Sequence, residues 1–483
     1  MQILFATSEV APFSKTGGLA DVSASLPAAL AELGHDVVVV SPLYRSVLQA
    51  GHKLNRRRLK IATRVGDKAI QGGVFELRPA PGLSLMFIDQ PSLFDREQLY
   101  GQDGVDYPDN ERRFAFFCRA VLELCRVAGL APQVIHLNDW QTGPVAALLQ
   151  SEYRERPELN ATGTLMTIHN LGFPGLFPPG AMMTLGLNWD LFTPSGLEYF
   201  GKVSFLKAGL VFADQLTTVS PRYAREIQTP AFGCGFEGLL QERAGDLKGI
   251  LNGVDYDQWD PAHDEHLAAR YSLEDLSGKV ACKTDLQRLA GLELEHDLPL
   301  IGAVSRLTAQ KGWDEFIEQA EQLLELPAQW AVLGSGDPAL EEGLRALANS
   351  HPGRLAFFSG MQEQLAHRLQ AGADMLLVPS RYEPCGLNQL YALRYGTIPI
   401  VREVGGLADT IDDVAGGEGN GFVFPVGQPQ QMVAAVRRAL ELFADRAAWH
   451  RLMQTAMAQD YSWRRPARQY DLLYRQVAGL RQE

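Results

Sequence analysis

Short apolar runs bounded by turn residues alternate with longer stretches of helical spacing along most of the chain. This alternation is typical of βαβ units, in which helices cover both faces of a parallel sheet. In the first half the runs predict strands over residues 3–9, 36–42, 85–89, 134–139, 164–169 and 215–220. In the second half they predict strands over residues 300–306, 330–336, 355–360, 375–380 and 398–401. Each half is therefore predicted to form its own doubly wound α/β domain.

The length of the chain and one turn-rich segment suggest where these domains meet. A chain of 483 residues is too long for one ordinary core, and two large domains are the simplest division. The segment 251–261, LNGVDYDQWDP, is rich in Asn, Gly, Asp and Pro. We therefore predict an N-terminal domain over residues 1–250 and a C-terminal domain over residues 251–460.

The end of the chain has the pattern of an amphipathic helix. Apolar residues recur there at helical spacing, namely Tyr470, Leu473, Tyr474, Val477 and Leu480. They predict a closing helix within residues 461–483 that packs back on the N-terminal domain.

Composition and charge narrow the class of protein. Hydrophobic residues make up 46% of the chain and charged residues 21%, as in soluble globular proteins. The net charge is −13, and the only notable basic run is Arg56-Arg57-Arg58, which argues against nucleic-acid binding. Five scattered cysteines without a CxxC pair fit neither a disulfide framework nor a zinc site. With no signal-peptide pattern and no apolar stretch of about 18 residues, we expect a cytoplasmic protein that binds no membrane.

The loop after the first predicted strand has the features of an anion site. Lys15 precedes Gly17 and Gly18, and the apolar rhythm of a helix begins directly after these glycines. Free N–H groups at a helix N-terminus favour an anion, and glycine lets it come close. Taken alone, the motif is explained equally well by a tight strand-to-helix turn. The letters GGLAD return at 405–409, but there they follow Glu403 and no lysine, so we expect the second copy mainly to shape a turn.

Two loops of the second half carry charged side chains where predicted strands end. Arg306 and Lys311 combine a bidentate guanidinium with a point charge, a pairing that suits a diphosphate leaving group. Glu383 precedes a helix predicted to begin near Gly386, where its carboxylate could bind sugar hydroxyls or support positive charge at a reacting carbon. A solvated basic turn and a favourable helix-end charge are the structural alternatives.

Polar and aromatic residues also follow predicted strands of the first half. They are Glu9, Asp139, Trp140, His169 and Asn170. The polar side chains could form hydrogen bonds with the hydroxyl groups of a sugar, and the indole ring could stack on the sugar ring. Each residue alone could be a satisfied loop side chain, but ligands of open parallel sheets bind beyond the carboxyl ends of the strands. Several such ends on two sheets therefore predict a cleft between the domains for a phosphorylated sugar donor.

Seven motifs follow one another along the chain in a fixed order. They are KTGGLADV (15–22), HLNDWQTG (136–143), TIHNLGFPG (167–175), NGVD (252–255), SRLTAQKG (305–312), EPCGLNQLYALRYG (383–396) and VGGLADT (404–410). In this order, from residue 1 to YSW at 461–463, the sequence resembles the bacterial glycogen synthase and plant starch synthase family. The resemblance implies the GT-B architecture, in which two Rossmann-like parallel-sheet domains face each other across a deep cleft. It also implies transfer of glucose from ADP-glucose to the non-reducing end of an α-1,4-glucan such as glycogen or a maltooligosaccharide, with retention and without a metal or other cofactor.

The resemblance also implies roles for individual positions. Those implied for catalysis are Glu383, His169, Arg306 and Lys311. Those implied for donor binding are Lys15, Gly18, Asp21, Asn252, Arg306, Lys311, Gly386 and Leu387. Those implied on the acceptor side are Glu9, Asp139, Trp140 and Asn170. In this scheme the cations stabilise the departing ADP, and Glu383 supports an oxocarbenium-like centre.

Some positions depart from the family pattern. Ala20 replaces a common glycine inside the predicted helix, and Glu237 replaces an aspartate often found in a loop that covers the cleft. Asn138 and Gln141 stand where many relatives have histidines, so no acid or base role is assigned to either.

Other functions fit parts of the pattern. The same fold could use UDP-glucose or another sugar donor, or it could bind glucans or nucleotide sugars without chemistry. A glycoside hydrolase could use Asp139 and Glu383 as its carboxylate pair, but it would leave the cations without a task. A phosphorylase-like pyridoxal phosphate enzyme would need a Schiff-base lysine, and none is assigned. The oligomeric state is not predicted.

Overall fold

The structure, a computed structural model, describes residues 1–102, 104–360 and 362–480. These residues form two compact units. The first unit comprises residues 1–219 and 224–253 together with the segment from residue 463 to the described end. The second unit comprises residues 220–223 and 254–462. The C-terminal segment therefore returns to the unit in which the chain begins.

The elements up to residue 253 are listed here in chain order. The strands are β1 (Gln2–Ala6), β2 (Asp36–Pro42), β3 (Asn55–Val65), β4 (Lys68–Ala80), β5 (Leu83–Asp89), β6 (Gly101–Gln102), β7 (Val105–Asp106), β8 (Val134–Asn138), β9 (Gly163–Ile168), β10 (Leu176–Phe177), β11 (Glu198–Tyr199), β12 (Lys202–Ser204), β13 (Gln215–Thr218) and β14 (Leu247–Gly249). The helices are α1 (Gly18–Glu32), α2 (Arg45–Gln49), α3 (Pro91–Phe94), α4 (Asn110–Ala128), α5 (Pro144–Leu148), α6 (Ala181–Leu185), α7 (Phe205–Phe212), α8 (Pro221–Glu226) and α9 (Glu237–Glu242).

The central sheet of the first unit is doubly wound. Among the described residues its strand order is β14-β13-β9-β8-β1-β2-β5-β4-β3. The strands from β14 to β5 run parallel, whereas β4 and β3 add an antiparallel hairpin. Every residue of β8 and β9 is buried, as expected when helices cover both faces of a parallel sheet. The order of the parallel strands reverses between β1 and β8, which makes this pair the topological switch point.

The second unit repeats this design in a smaller sheet. Its strands are β15 (Leu300–Val304), β16 (Gln329–Gly334), β17 (Leu355–Ser359), β18 (Met375–Val378), β19 (Ile398–Arg402) and β20 (Phe422–Phe424). Its helices are α10 (Ser277–Ala290), α11 (Trp313–Glu318), α12 (Ala320–Leu324), α13 (Pro338–Ser350), α14 (Glu363–Gly372), α15 (Asn388–Arg394), α16 (Gly405–Thr410), α17 (Gln430–Ala444) and α18 (Arg446–Met457). The parallel strands follow the order β17-β16-β15-β18-β19-β20, so the switch point lies between β15 and β18.

The strands predicted from the apolar runs are confirmed, and most of them end earlier than predicted. For example, β15 ends at Val304 and not at residue 306, and β18 ends at Val378 and not at residue 380. Helix α1 begins at Gly18, as predicted, and continues through Pro27. The hairpin of β3 and β4 was not predicted. The basic run Arg56-Arg57-Arg58 lies on β3, at the edge of the sheet.

The closing helix α19 (Arg464–Gly479) packs on the sheet of the first unit. The hydroxyl of Tyr474 lies 2.7 Å from Nδ1 of His136 on β8, and Nε2 of His136 lies 2.6 Å from Oγ1 of Thr167 on β9. A Cβ atom at Gly163 would lie 2.5 Å from Cγ1 of Val477, so the helix rests directly on the strand. The predicted apolar face is confirmed apart from Leu480, which is exposed.

Replacement of Tyr474 by phenylalanine should lower the free energy of unfolding by about 1–3 kcal/mol, because a ring nitrogen of buried His136 loses its partner. Urea unfolding of both proteins measures the difference. Leu472→Ala on the same helix is the control, since this side chain is 68% exposed and its loss should change the free energy by less than about 0.5 kcal/mol. Equal effects of the two substitutions would show that the buried hydrogen bond does not stabilise the helix.

Candidate active site

Several of the predicted site residues follow the strands that flank the two switch points. In the first unit, the loop after β1 carries Glu9 and Lys15, and the loop after β8 carries Asp139. In the second unit, the loop after β15 carries Lys311, and the loop after β18 carries Glu383. A doubly wound sheet binds its ligands at this position, so each unit carries its own candidate binding residues there.

Glu9 holds the glycine-rich loop in place. Its Oε2 accepts hydrogen bonds from the backbone N–H groups of Thr16 at 2.6 Å and Gly17 at 3.3 Å. Its Oε1 accepts from the Thr16 hydroxyl at 2.6 Å and from the Tyr100 hydroxyl at 2.7 Å. Burial raises the pKa of Glu9, and these hydrogen bonds oppose the increase. The carboxylate therefore acts as an anchor of the loop, and its predicted contact with an acceptor stays a prediction.

Lys15 and the start of helix α1 are close together, as the anion-site hypothesis requires. The Lys15 ammonium lies 2.7 Å from Oδ1 of Asp21, and 38% of the lysine side chain is exposed. A Cβ atom at Gly17 would meet no described heavy atom within 4 Å. The backbone at the start of α1, directly before Gly18, is therefore open to a ligand.

Asp139 and His169 join the ends of β8 and β9. Asp139 has a φ of 55°, and its Oδ1 accepts hydrogen bonds from the N–H of His169 at 2.7 Å and of Asn170 at 3.4 Å. Burial raises the pKa of Asp139 to about 7, the two hydrogen bonds oppose this, and the charge of Glu9 adds to it. Burial lowers the pKa of His169 to about 3, so its imidazole is neutral near neutral pH.

Asp139→Asn should make folding less dependent on pH. The pKa of Asp139 is about 7 in the folded chain and 3.8 ordinarily, so stability is lost as the pH rises from about 4 to about 7. Asparagine does not ionise, and its side-chain oxygen still accepts the His169 N–H. The variant should therefore gain stability relative to wild type across this window, on the order of 2 kcal/mol after allowance for partial exposure. Urea unfolding at a series of pH values measures the difference in free energy of unfolding between the variant and the wild type. A difference that stays constant from about pH 4 to about pH 7 contradicts the raised pKa of Asp139.

Trp140 lies in an aromatic cluster. Its ring centroid is 4.9 Å from Phe114 in an edge-on contact and 5.7 Å from Phe177. A Cβ atom at Gly175 would lie 2.7 Å from the indole ring, and Gly175 has a φ of 60°. The ring is half-buried, so the cluster fixes its orientation while part of it remains accessible.

In the second unit Lys311 and Glu383 form an ion pair. The Lys311 ammonium lies 2.5 Å from Oε2 of Glu383, which also accepts a hydrogen bond from the Ser380 hydroxyl at 2.8 Å. Glu383 is 7% exposed. Arg306 is half-buried, and within the described ranges no side chain or backbone group pairs with its guanidinium. The loop therefore presents one paired cation and one available cation.

Backbone contacts join the two loops that carry this pair. The carbonyl of Gln310 accepts from the N–H of Arg381 at 2.8 Å, and the Gln310 side chain donates to the carbonyl of Tyr382 at 3.2 Å. Gly312 has a φ of 74°, and a Cβ atom there would lie 2.3 Å from the carbonyl oxygen of Pro379. The loop after β15 and the loop after β18 are therefore packed and hydrogen-bonded directly to each other.

A network of charges supports these loops from behind. Glu315 accepts a hydrogen bond from Nε of Arg381 at 2.9 Å and also pairs with Arg402. Arg381 forms two further bonds to Asp314, at 2.9 and 2.6 Å. Arg402 is 1% exposed and donates to the carbonyl of Pro379 at 3.2 Å. Sequence reasoning missed this network, because its members are ordinary charged residues far apart in the chain.

The second GGLAD segment shapes the loop of Glu383. The N–H of Gly406 donates to the backbone carbonyl of Glu383 at 3.0 Å. A Cβ atom at Gly406 would lie 2.1 Å from the carbonyl oxygen of Cys385, and Gly405 has a φ of 42°. The segment is thus the close-packed beginning of helix α16, and it shapes the loop of Glu383 as predicted.

Three further predicted positions lie at loops or helix starts. Asn252 follows β14 and is 6% exposed, and its Oδ1 has no hydrogen-bond partner among the described residues. Gly386 has a φ of 73°, and Leu387 is the N-cap of α15. This helix begins at Asn388, two residues later than predicted.

The described residues contain neither a metal-binding cluster nor a membrane-spanning helix. No group of three or more His, Cys, Asp or Glu residues is arranged to hold a metal ion. No helix in this part of the chain combines the length and apolar character needed to cross a membrane. The predicted independence from a metal and the cytoplasmic location stay predictions.

Comparison with known proteins identifies the family. The sequence model described as starch synthase catalytic domain matches residues 2–242, and the one described as glycosyl transferases group 1 matches residues 289–452. A glycogen synthase of Anaeromyxobacter dehalogenans is 50% identical over 99% of this chain and 100% of its own length. One of Syntrophotalea carbinolica is 48% identical over 99% of both chains.

Solved structures agree with the sequence comparison. The catalytic domain of starch synthase IV from Arabidopsis thaliana, bound to ADP and acarbose, superposes with a TM-score of 0.91 at 32% identity over 99% of both chains. A sucrose-phosphate synthase from Thermosynechococcus elongatus has a TM-score of 0.63 at 17% identity, and this similarity concerns the fold alone. The predicted GT-B fold of two Rossmann-like domains is confirmed, whereas the cleft between them stays a prediction. The chain belongs to the family of glycogen synthases and starch synthases.

Proposed function

We propose that this protein transfers glucose from ADP-glucose to the non-reducing end of an α-1,4-glucan, with retention at the anomeric carbon. The observation that carries the proposal is the pairing of Lys311 with Glu383 at the switch point of the second sheet. A cation suited to a phosphate and a carboxylate suited to a sugar lie side by side there. The relative from Arabidopsis was solved with ADP and acarbose, which supports an adenosine diphosphate donor and a saccharide acceptor.

The cations have the clearest chemical task in this reaction. As the bond between the anomeric carbon and the diphosphate breaks, negative charge accumulates on the leaving ADP. Arg306 and Lys311 stabilise this charge, and Lys15 adds to it from the loop before α1. Because Lys311 is paired with Glu383, an arriving phosphate competes with this carboxylate for the ammonium. Gly386 and Leu387, at the start of α15, and Gly18, at the start of α1, offer backbone N–H groups to the donor.

The polar groups act on the sugar and on the acceptor. Glu383 supports the positive charge that develops at the anomeric carbon. His169, Asp21 and Asn252 bind the transferred glucose, and the unpartnered Oδ1 of Asn252 fits this role. Glu9, Asp139, Trp140 and Asn170 serve the acceptor side, Glu9 through the loop that it anchors. The reaction as proposed needs no metal and no organic cofactor.

The stereochemistry and linkage of the product test this proposal. Purified protein is mixed with ADP-glucose and maltotriose, and the new anomeric signal is followed by proton NMR from the first turnovers. The expected product is maltotetraose with a new α-1,4 linkage, formed together with one ADP per glucose transferred. A β-linked first product overturns retention. Release of free glucose from a glucan without any nucleotide sugar would instead favour the hydrolase.

A further inference from the structure

Asn138 contacts the imidazole ring of His169 at Nε2. The family pattern implies no role for Asn138. Asn138 is completely buried. Its side-chain NH2 group donates to the carbonyl of Ala6 at 3.0 Å. Its backbone N–H donates to the hydroxyl of Thr142 at 2.6 Å, and that hydroxyl donates back to the carbonyl of Asn138 at 2.9 Å. Both the backbone and the amide plane of Asn138 are therefore fixed.

This geometry determines which nitrogen of His169 carries the hydrogen. The Ala6 carbonyl can only accept, so the amide atom facing it must be the NH2 group. The other amide atom, Oδ1, lies 2.9 Å from Nε2 of His169, and it too can only accept. Nε2 must therefore donate. Because burial lowers the pKa of His169 to about 3, the neutral ring has no second hydrogen, and Nδ1 is a bare acceptor.

The opposite arrangement is penalised twice. Moving the hydrogen of His169 to Nδ1 would place the lone pairs of Nε2 and of Asn138 Oδ1 against each other in a buried setting. Rotating the amide to relieve this contact would set Oδ1 against the carbonyl oxygen of Ala6. Within the described part of the chain, Nδ1 has no hydrogen-bond partner, and His169 is half-buried rather than fully enclosed.

We propose that Asn138 is a positioning residue that holds His169 in the Nε2–H tautomer, so that Nδ1 accepts a hydrogen bond from a hydroxyl of the transferred glucose. The identity of the sugar rests on the proposed function, whereas the tautomer does not. An acceptor at this point distinguishes a hydroxyl, which donates, from hydrogen or fluorine, which cannot.

The tautomer is tested first, without any sugar. Protein labelled with 15N-histidine is measured by long-range proton–nitrogen correlation NMR, and the His169 signals are assigned by their loss in His169→Gln. The wild-type ring should show a protonated Nε2 and a bare Nδ1. Asn138→Leu, which has nearly the same volume and offers Nε2 no acceptor, should shift the hydrogen toward Nδ1, because an Nε2–H group would be left buried without a partner. Thr142→Val removes the clamp on the backbone alone, so it should lower stability and leave the tautomer unchanged.

The wild-type spectrum decides the question even if a variant fails to fold. A hydrogen on Nδ1 in the wild type overturns the proposal. So does an Asn138→Leu ring that keeps its hydrogen on Nε2 as completely as the wild type, because Asn138 would then have a structural role only.

The second measurement concerns selectivity toward the sugar. The values of kcat/KM are compared for ADP-glucose and for analogues with fluorine in place of one hydroxyl at a time. At one position, a penalty of roughly tenfold in the wild type should shrink markedly in Asn138→Leu, and the penalties at other positions should persist. Comparing the two proteins at each position cancels the electronic effect of fluorine. If no position changes, the acceptor role is wrong. If wild-type protein transfers no glucose at all, the proposed function fails, and the spectra still decide the tautomer.

Discussion

Replacement of Lys311 by alanine is expected to lower kcat by roughly 100-fold or more, the scale of losing a preorganised group that stabilises charge in the transition state. The ammonium lies 2.5 Å from Glu383, so the substitution removes both the cation for the departing diphosphate and the partner of a buried carboxylate. Initial rates at saturating ADP-glucose and maltooligosaccharide measure the effect. The loss should appear in kcat and not only in KM, since negative charge on the leaving group grows as the bond breaks.

Two further variants separate this effect from general damage. Arg345→Ala removes a cation of the same unit that pairs with Glu342 at 3.4 Å and has 48% of its side chain exposed. Its kcat should equal that of the wild type. Arg306→Ala should lose activity on the same scale as Lys311→Ala, because its guanidinium is the second predicted phosphate contact. Near-normal rates in both site variants, with normal unfolding curves, would refute the role of these cations in stabilising the diphosphate.

Gly406→Ala is expected to reduce both stability and turnover. The new methyl group would lie 2.1 Å from the carbonyl oxygen of Cys385, so the backbone must move. Such overpacking costs about 1–3 kcal/mol in the free energy of unfolding. The N–H of Gly406 also holds the Glu383 carbonyl, and a displacement of about 1 Å at a reacting group lowers the rate by roughly 100-fold. Urea unfolding and initial-rate measurements on the same preparation test the two expectations.

The first GGLAD segment provides a matched control for this substitution. A Cβ atom at Gly17 would meet no described heavy atom within 4 Å, and the φ of −165° is extended backbone that any residue adopts. Gly17→Ala should therefore leave the free energy of unfolding within about 0.5 kcal/mol of wild type. It should still raise the KM for ADP-glucose several-fold, because a methyl group blocks the close approach of an anion. If Gly17→Ala unfolded as readily as Gly406→Ala, the two segments would not differ in the way proposed.

The sequence predicted the parallel strands well, because strands buried on both faces are continuous apolar runs. The antiparallel hairpin was missed because a strand that is buried on one face only contains no continuous apolar run. In Asn55–Val65 only Ile61, Thr63 and Val65 are buried, and charged residues fill much of the exposed side. Such a strand has no continuous apolar run, but its alternation of buried and exposed positions and the two-residue loop Gly66-Asp67 before β4 are the local signals of a hairpin. The pairing of β3 with β4 is therefore readable from the sequence, whereas the place of this hairpin at the edge of the sheet depends on the pairing of β4 with β5.

The side chains of the candidate site were partly predictable from the sequence. The contacts that hold these side chains in place were not. Lys15, Lys311 and Glu383 stand where strands end, and the rule for parallel sheets directs attention to such positions. The contacts that hold them link distant parts of the chain. Tyr100 reaches Glu9 across 91 positions, and Arg402 reaches Glu315 across 87. Spacing within a segment carries no information about such pairs, because they depend on which strands become neighbours.

The transfer of glucose from ADP-glucose is tested most directly by one assay of purified protein with a defined maltooligosaccharide. ADP-glucose and UDP-glucose are supplied at equal concentration, and chain elongation and nucleotide release are measured together. We expect elongation by one glucose at a time, coupled to release of ADP, at a rate well above that with UDP-glucose. Faster elongation with UDP-glucose would contradict the assigned donor. Binding of ADP-glucose without any elongation would contradict the assignment of the protein as a glucosyltransferase.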